Sequence, residues 1–131
     1  MMKYCKLVLL SFAFLFSAFA LQAQSDPCAD PADAKKLVNP VKATSESLAQ
    51  GKKYYGYDCA MCHGKTGDGK GEVDNGQKLP DFTSPEGLKD RTDGEIFCSL
   101  KTGKGHMPLE HIRVTPNELW NLVNYVRSLS K

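Results

Sequence analysis

Apolar residues near the end of the chain follow a helical pattern. Residues 115–118, Thr-Pro-Asn-Glu, have the form of a helix start, with a hydroxyl at the cap, proline at the first helical position and a carboxylate three residues after the cap. The apolar residues that follow share one helical face: Leu119, Leu122, Val123, Val126 and Leu129. The pattern predicts an amphipathic helix with one buried side.

Two earlier segments also have helical signals. Residues 92–95, Thr-Asp-Gly-Glu, repeat the capping form and predict a short helix that Gly103 ends. Another helix is predicted from residues 45–47 to about Tyr57. It contains Gly51, and glycine inside a helix costs about 1 kcal/mol relative to alanine. Either another backbone or ring packs closely there, or the position is a tolerated weak point.

The chain between these helices has no regular period. Residues 64–76 include five glycines among Lys, Asp and Thr, which predicts an irregular loop. A phosphate-binding loop is excluded because no strand precedes these glycines and the Gly-Lys-Ser/Thr ending is absent. Residues 79–85 continue as extended or turning chain because prolines lie near both ends. No alternating apolar run is long enough for a sheet, so the predicted fold class is all-α.

Residues 1–23 have the pattern of a secretory signal peptide. Lys3 and Lys6 precede an apolar run over residues 7–21, which is shorter than the roughly 20 apolar residues of a membrane span. Small residues up to Ala23 suit cleavage, so this segment is expected to be removed, leaving no membrane span. A retained N-terminal anchor is the alternative.

The remaining chain divides into an extension and one domain, because 131 residues leave room for a single modest domain. Residues 24–44 are interpreted as an extended linker or docking arm, since Pro27, Pro31 and Pro40 discourage regular structure. Residues 45–131 are the predicted folded domain.

The charge balance gives no case for nucleic acid as a partner. The chain has 17 basic and 15 acidic side chains, and removal of Lys3 and Lys6 leaves the two signs equal in number. A neutral chain has no strong basic field. Export places the protein in the periplasm or elsewhere outside the cytoplasm, where thiols oxidise or are captured.

The pentapeptide Cys59-Ala60-Met61-Cys62-His63 carries the clearest chemical signal. Two thiols separated by two residues can each add to one vinyl group of a haem, and the adjacent histidine then ligates the iron. The motif predicts one covalently attached haem c. A thioredoxin-like redox pair expects a βαβ context, and a zinc site expects a further Cys or His pair. Neither is visible in the sequence.

An iron that only transfers electrons needs a second axial ligand from another segment. Met107 is the candidate, because it follows the turn at residues 103–105 in chain too irregular to make it a helical core residue. A thioether favours ferrous iron and raises the reduction potential relative to two histidines. His106 and His111 are alternative ligands, and Met107 as an ordinary apolar residue also stays open.

These residues together resemble the class I c-type cytochromes, which are small electron carriers with one haem. The resemblance covers about residues 45–129. It depends on the tether at 59–64, on Gly51 and Tyr55 before it, on Gly67-Asp68-Gly69 after it, on residues 92–96, on Met107-Pro108, and on Leu119-Trp120 with Tyr125.

The resemblance implies a cytochrome c fold, with three to five helices around one covalently bound haem. It implies that the first and last predicted helices cross where Gly51 admits an aromatic residue such as Tyr125 or Trp120. It also implies that a proline carbonyl orients the imidazole of His63 by accepting its other N–H. Pro80 is the residue assigned to this role.

The predicted function is periplasmic electron transfer by a monomer that needs no catalytic residues. The donor and acceptor are redox proteins such as a respiratory complex, a dehydrogenase or an oxidase. The alternatives are a haem-bearing subunit of a larger oxidoreductase, and a haem enzyme or gas sensor whose iron lacks the Met107 ligand. Seven lysines either steer an acidic partner or only solvate the domain: Lys52, Lys53, Lys65, Lys70, Lys78, Lys101 and Lys104.

Cys28 and Cys98 depart from the plainest pattern of the family. In an oxidising compartment they can form a disulfide that pins the extension to the helix at residues 95–100. The bond requires Cα atoms within about 7 Å. A buried Cys98 with an unpaired or intermolecular Cys28 is the alternative.

Overall fold

The computed structural model describes residues 25–73, 76–108 and 114–130. The predicted signal peptide at residues 1–23 and the alternative ligand His111 lie outside the described residues.

The described residues form helices and no strand, which confirms the all-α prediction. An isolated antiparallel bridge joins Lys104 to Met107. None of the described helices is long and apolar enough to cross a membrane. In chain order the elements are α1 (Pro31–Lys36), α2 (Ser45–Tyr54), a π-helical turn (Tyr55–Cys59), α3 (Ala60–His63), a 3-10 turn (Pro85–Leu88), α4 (Asp93–Thr102) and α5 (Pro116–Ser128).

Both predicted capping boxes are formed, at the starts of α4 and α5. The Thr92 amide donates to the Glu95 carboxylate at 2.8 Å, and the Glu95 amide donates to the Thr92 hydroxyl at 3.2 Å. Thr115 and Glu118 make the same reciprocal pair at 2.6 and 3.4 Å. Each box satisfies two amides that have no partner within the helix. Gly103 follows the last residue of α4, as expected.

The helical chain that begins with α2 is longer than the sequence indicated. The predicted end was near Tyr57, but the π-helical turn leads directly into α3, which ends at His63. In that turn the amide of Ala60 donates to the carbonyl of Tyr55, which is the wider spacing of a π-helix. The two cysteines of the pentapeptide therefore lie in different helical elements.

Helices α2 and α5 cross at Gly51, which confirms the crossing that the resemblance implied. A Cβ atom at Gly51 would lie 2.2 Å from the Asn121 carbonyl oxygen and 2.6 Å from the Cβ of Tyr125. One turn later the ring of Tyr55 packs on Tyr125, with centroids 5.3 Å apart. Gly51 thus marks a close approach of two helices and not a tolerated weak point.

Most of the core residues belong to α4 and α5. Phe97 of α4 stacks on Trp120 of α5 with ring centroids 4.1 Å apart. The predicted apolar stripe of α5 is buried, and four of its residues are at most 4% exposed: Leu119, Leu122, Val123 and Val126.

The segment before α2 contains a short helix that packs on α4, although its prolines were expected to discourage regular structure. Its interpretation as a linker or docking arm stays a prediction. Pro31 occupies the first turn of α1, where its missing amide hydrogen breaks no helical bond. Ala34 of α1 is 5% exposed. A Cβ atom at Gly94 of α4 would lie 2.0 Å from the Ala34 carbonyl oxygen. We call residues 26–37 the N-terminal clasp.

Two further links fasten the clasp to α4. Cys28 and Cys98 form a disulfide, with Cα atoms 5.2 Å apart, which decides between the alternatives that the sequence left open. The ammonium of Lys101 donates to the carboxylate of Asp26 at 2.8 Å. The clasp is therefore joined to α4 by packing, by a covalent bond and by an ion pair.

Asn124 connects the chain after the clasp to both crossing helices. Its amide donates to the Val41 carbonyl at 3.0 Å and to the Ser47 hydroxyl at 2.9 Å. Its oxygen accepts from the Asn39 amide at 2.8 Å. Asn124 is 8% exposed and Ser47 is 5% exposed, so these polar groups are both buried and bonded, as buried polar groups must be.

Candidate cofactor site

Cys59, Cys62 and His63 lie together where the π-helical turn passes into α3. Cys59 is buried, and Cys62 and His63 are half-buried. Neither Cys59 nor Cys62 is part of a disulfide, so both carry thiols. Helix α3 has only four residues, so local structure alone brings the three predicted attachment groups into about one turn.

The glycine-rich loop after His63 is bound to this turn by a ladder of main-chain hydrogen bonds. The amide of residue 67 donates to the carbonyl of residue 64 at 3.1 Å, and the amide of residue 69 donates to the carbonyl of residue 63 at 2.9 Å. The amide of residue 71 donates to the carbonyl of residue 62 at 3.1 Å, and the amide of residue 73 donates to the carbonyl of residue 61 at 3.0 Å. Carbonyls at the end of a helix have no partner within it, and the ladder satisfies four of them. We call residues 67–73 the glycine cuff. The sequence indicated only an irregular loop here.

Gly71 allows the cuff to lie this close to the pentapeptide, and Gly69 allows it to lie close to residues 79–80. A Cβ atom at Gly71 would lie 2.3 Å from the carbonyl oxygens of both Met61 and Cys62. Gly69 has a φ of +74°, and a Cβ atom there would lie 3.1 Å from the carbonyl oxygen of Pro80. A larger residue at Gly71 would push the cuff off the pentapeptide.

Tyr55 adds a side-chain bond to the same turn. Its hydroxyl donates to the carbonyl of Gly64 at 2.8 Å, and the residue is 2% exposed. Burial raises the pKa of the Tyr55 phenol, so the hydroxyl stays a donor at neutral pH. The resemblance included Tyr55, but nothing in the sequence indicated this bond.

The imidazole of His63 is stacked on the ring of Phe82. The ring centroids are 4.9 Å apart and the planes differ by 22°. Burial lowers the pKa of His63 and so favours the neutral imidazole, which is the form that binds a metal. Its Nδ1 is buried and has no hydrogen-bond partner among the described residues. The Pro80 carbonyl therefore does not accept that bond here, and its predicted role stays a prediction.

Met107 lies in a tight turn with its side chain toward the core. It is partly buried and packs against the core residues. Its amide donates to the Lys104 carbonyl at 3.0 Å, and its carbonyl accepts from the Lys104 amide at 3.1 Å. His106, between them, is exposed. In this turn the side chain of Met107 therefore faces the core, and His106 is exposed to solvent.

The lysines considered for steering differ in their surroundings. Lys101 is partly buried and pairs with Asp26 in the clasp. Lys65 lies 3.5 Å from Glu72, and both side chains are at least 80% exposed. Exposed ion pairs contribute about 0–1 kcal/mol, so this pair does little for stability. The other five are exposed: Lys52, Lys53, Lys70, Lys78 and Lys104.

The residues of this site fit a haem c. Covalent attachment needs two cysteine thiols and a neutral histidine beside them. Cys59 and Cys62 supply the thiols, and His63 supplies an imidazole whose burial favours the neutral form. No group of three or more His, Cys, Asp or Glu able to hold a metal ion occurs in the part of the chain that the structure describes. The second pair that a zinc site requires is not found there.

Comparison with known proteins points to the same chemistry. A family model described as cytochrome C oxidase, cbb3-type, subunit III matches residues 46–126. No curated protein matches the chain. Among solved structures, the chain is similar to one from the reducing HAO-like protein complex of Kuenenia stuttgartiensis, with 27% sequence identity and a TM-score of 0.63. The similarity covers 70% of this chain and 47% of that one, so this chain spans about half of its length.

Proposed function

Because the chain belongs to the c-type cytochrome family described as cytochrome C oxidase, cbb3-type, subunit III, we propose that it carries electrons on one covalently attached haem c. The family match confirms the class I c-type cytochrome resemblance, and the helical structure agrees with it. Haem-based electron transfer is the function that both comparisons support. When bound, the haem supplies one-electron chemistry at its iron.

The main observation in support of the proposal is the set of hydrogen bonds that hold the pentapeptide in one conformation. Cys59, Cys62 and His63 share about one turn, the glycine cuff bonds four consecutive carbonyls of that turn, and Tyr55 bonds the last of them. Two thioether bonds fix a haem without a large pocket. A turn bonded in this way would keep the imidazole in one place whether the iron is oxidised or reduced. The role needs no acid, base or nucleophile, so we assign the chain no enzymatic activity.

We assign Met107 as the second axial ligand in preference to His106. Met107 is partly buried against the core, whereas His106 is exposed. His63 and Met107 would then hold the iron together, and a thioether ligand would favour the ferrous state. With both residues bound to the iron, no site would be open for a substrate or a diatomic gas.

Export to the periplasm is part of the proposal. It is inferred from the sequence of residues 1–23 and supported by the Cys28–Cys98 disulfide, because structural disulfides persist in oxidising compartments. N-terminal sequencing of the exported protein tests it. A mature chain that begins close to Ala23 is expected, and one that begins at Met1 would support the retained anchor.

Intact-mass analysis tests the haem. The wild-type protein, produced with a c-type cytochrome maturation system, is expected to carry the mass of one haem and to keep it through acid-acetone extraction. The variant Cys59→Ser/Cys62→Ser should lose its haem on extraction. The matched control Cys28→Ser/Cys98→Ser removes the same number of cysteines and should keep it. Wild-type protein without the added mass would end the proposal.

A haem-bearing subunit of a larger oxidoreductase is the second candidate. It is favoured by the neighbour from Kuenenia stuttgartiensis, which is part of a protein complex. Purification of the tagged protein from its own cells separates the two cases. A free carrier elutes as a monomer, whereas a subunit co-purifies in fixed ratio with a dehydrogenase or oxidase and stays bound at high salt.

A further inference from the structure

Phe82 makes a close ring contact with the proposed iron ligand. The phenyl and imidazole planes differ by 22° and their centroids lie 4.9 Å apart. Phe82 is 8% exposed, so its ring is confined by surrounding atoms and has little freedom to swing away. The imidazole of His63 is therefore held along one face.

The main chain of Phe82 is attached to the glycine cuff. Its amide donates to the Gly67 carbonyl at 2.7 Å, and a Cβ atom at Gly67 would lie 3.4 Å from the Cβ of Phe82. Two residues further along the cuff, the Gly69 amide donates to the His63 carbonyl at 2.9 Å. The main chains of the two stacked residues are thus bonded to the same short segment.

A side-chain turn that encloses Phe82 restrains it further. The carboxylate of Asp81 accepts from the Thr83 amide at 2.9 Å and from the Thr83 hydroxyl at 2.6 Å. Such side-chain turns fix the backbone of the residue that they enclose. The backbone of Phe82 is therefore held on both sides.

We propose that Phe82 is a positioning residue that sets the rotation of the His63 imidazole about its Cβ–Cγ bond. The inference rests on the proposed function and adds to it the residue that fixes the plane of the ligand. Neighbours of a ligating histidine commonly fix its ring through a hydrogen bond to the second nitrogen. Here Nδ1 has no such partner among the described residues, and the stacked phenyl ring restrains the imidazole.

The test removes the phenyl ring of Phe82 and measures the orientation of the His63 imidazole plane. Phe82→Leu deletes the stack, and Phe82→Tyr keeps it. Phe97→Leu is the matched control, because Phe97 is 6% exposed and stacks on Trp120 and not on His63. The readout is the order of the hyperfine-shifted haem methyl proton resonances in the ferric protein, which depends on the plane of the axial imidazole. Thermal unfolding is measured in parallel.

Phe82→Leu is expected to change the order of the methyl resonances, and Phe82→Tyr is expected to keep the wild-type order. Phe97→Leu should lower the melting temperature while it preserves that order. An unchanged order in Phe82→Leu, or an equal change in Phe97→Leu, would overturn the inference. If Phe82→Leu does not fold, Phe82→Met fills similar volume without a ring and gives the same comparison.

The two proposals fail in different measurements. Failure of the proposed function appears as wild-type protein without the mass of a haem, before any Phe82 variant is compared. Failure of the inference appears with haem attached to every variant and the methyl resonances in one order.

Discussion

The phenol oxygen of Tyr55 links the start of the π-helical turn to Gly64, which follows the proposed attachment residues. Phenylalanine at this position would fill nearly the same volume and pack on Tyr125 in the same way. Only the hydroxyl can donate to the Gly64 carbonyl, which also accepts from the Gly67 amide. A buried carbonyl with two lone pairs is satisfied by two such donors. One oxygen atom therefore couples the α2–α5 crossing to the residue that follows His63.

Met107 supports a prediction about the second axial ligand. Met107→Ala removes the only sulfur of its turn, so the red-edge sulfur-to-iron absorption band is expected to disappear and the reduced protein to bind carbon monoxide. His106→Ala is the matched control, because it changes an exposed neighbour in the same turn. His106→Ala should keep the sulfur-to-iron absorption band, and the reduced variant should resist carbon monoxide binding as the wild type does.

Other results would redirect the assignment of the ligand. A band that persists in Met107→Ala would exclude this sulfur as the ligand. Rapid, complete binding of carbon monoxide to the reduced wild-type protein would favour the haem enzyme or gas sensor.

At the scale of helices, the crossing of α2 and α5 depends on the absence of one methyl group. Gly51→Ala would place its Cβ 2.2 Å from the Asn121 carbonyl oxygen, and this oxygen belongs to helical backbone that cannot move alone. Forced separation of the helices should lower the free energy of unfolding by about 1–3 kcal/mol. Urea denaturation measures the change.

Gly56→Ala is the control for this substitution. Gly56 lies in the π-helical turn, and a Cβ atom there would meet nothing within 4 Å. The change should leave stability unaltered or raise it by up to about 1 kcal/mol, because alanine restricts the unfolded chain more than glycine does. Equal losses from both alanines would show that helix packing is not the cause.

Glu118 joins two helices and makes their contact sensitive to acid. Its carboxylate accepts from the Tyr54 hydroxyl of α2 and from Thr115 at the start of α5, and these hydrogen bonds hold the pKa of Glu118 below its usual 4.5. A folded-state pKa below the unfolded one stabilises the protein above the unfolded value. That stabilisation is lost as the pH falls through the folded value.

Wild-type protein should therefore be more stable than Glu118→Gln at pH 7, and the difference should shrink towards about pH 3. Melting temperatures measured across this range test the prediction. Glu95→Gln is the matched comparison, because Glu95 forms the same capping box and its hydrogen bonds with Thr92 also lower the pKa of Glu95. Among the described residues no tyrosine hydroxyl donates to its carboxylate, so its stability difference should follow the same pH trend without the contribution of a tyrosine bond. A difference between wild type and Glu118→Gln that grows on acidification would contradict the assignment.

The helices that the sequence predicts well are those decided by neighbouring residues. Both capping boxes and the apolar stripe of α5 involve side chains within a few positions of each other, so the pattern and the structure agree. The prolines of the extension were misleading. Pro31 is compatible with a first helical turn, and α1 is stabilised by its contact with Gly94, about sixty residues further along the chain.

The proposed site also has features that depend on neighbouring residues and features that depend on distant contacts. The spacing of Cys59, Cys62 and His63 gives the attachment chemistry directly, since these residues are neighbours in sequence. The glycine cuff and the stack on Phe82 were not predictable, because glycine indicates conformational freedom without naming the carbonyl that it will approach. The orientation of His63 follows from tertiary contacts such as the Phe82–Gly67 hydrogen bond.

At the scale of the whole molecule, the N-terminal clasp closes a long loop of the chain. The disulfide joins residues 70 positions apart, so it brings the start of the described chain onto α4, whose Phe97 packs in the core. A bond that closes a long loop removes more conformations from the unfolded chain than one that closes a short loop. The clasp therefore stabilises the domain that carries the tether, although it contributes no proposed ligand.

Loss of the clasp disulfide should weaken the fold without removing the haem. The variant Cys28→Ser/Cys98→Ser is expected to unfold with a free energy lower by about 2–5 kcal/mol, measured by urea denaturation of the oxidised protein. Because α1 also packs on Gly94 and Asp26 pairs with Lys101, the clasp should stay docked at low temperature and become sensitive to protease on warming. Adding a thiol reductant should lower the stability of wild-type protein towards that of the variant and leave the variant unchanged. A variant as stable as the wild type would show that packing and the ion pair alone hold the clasp in place.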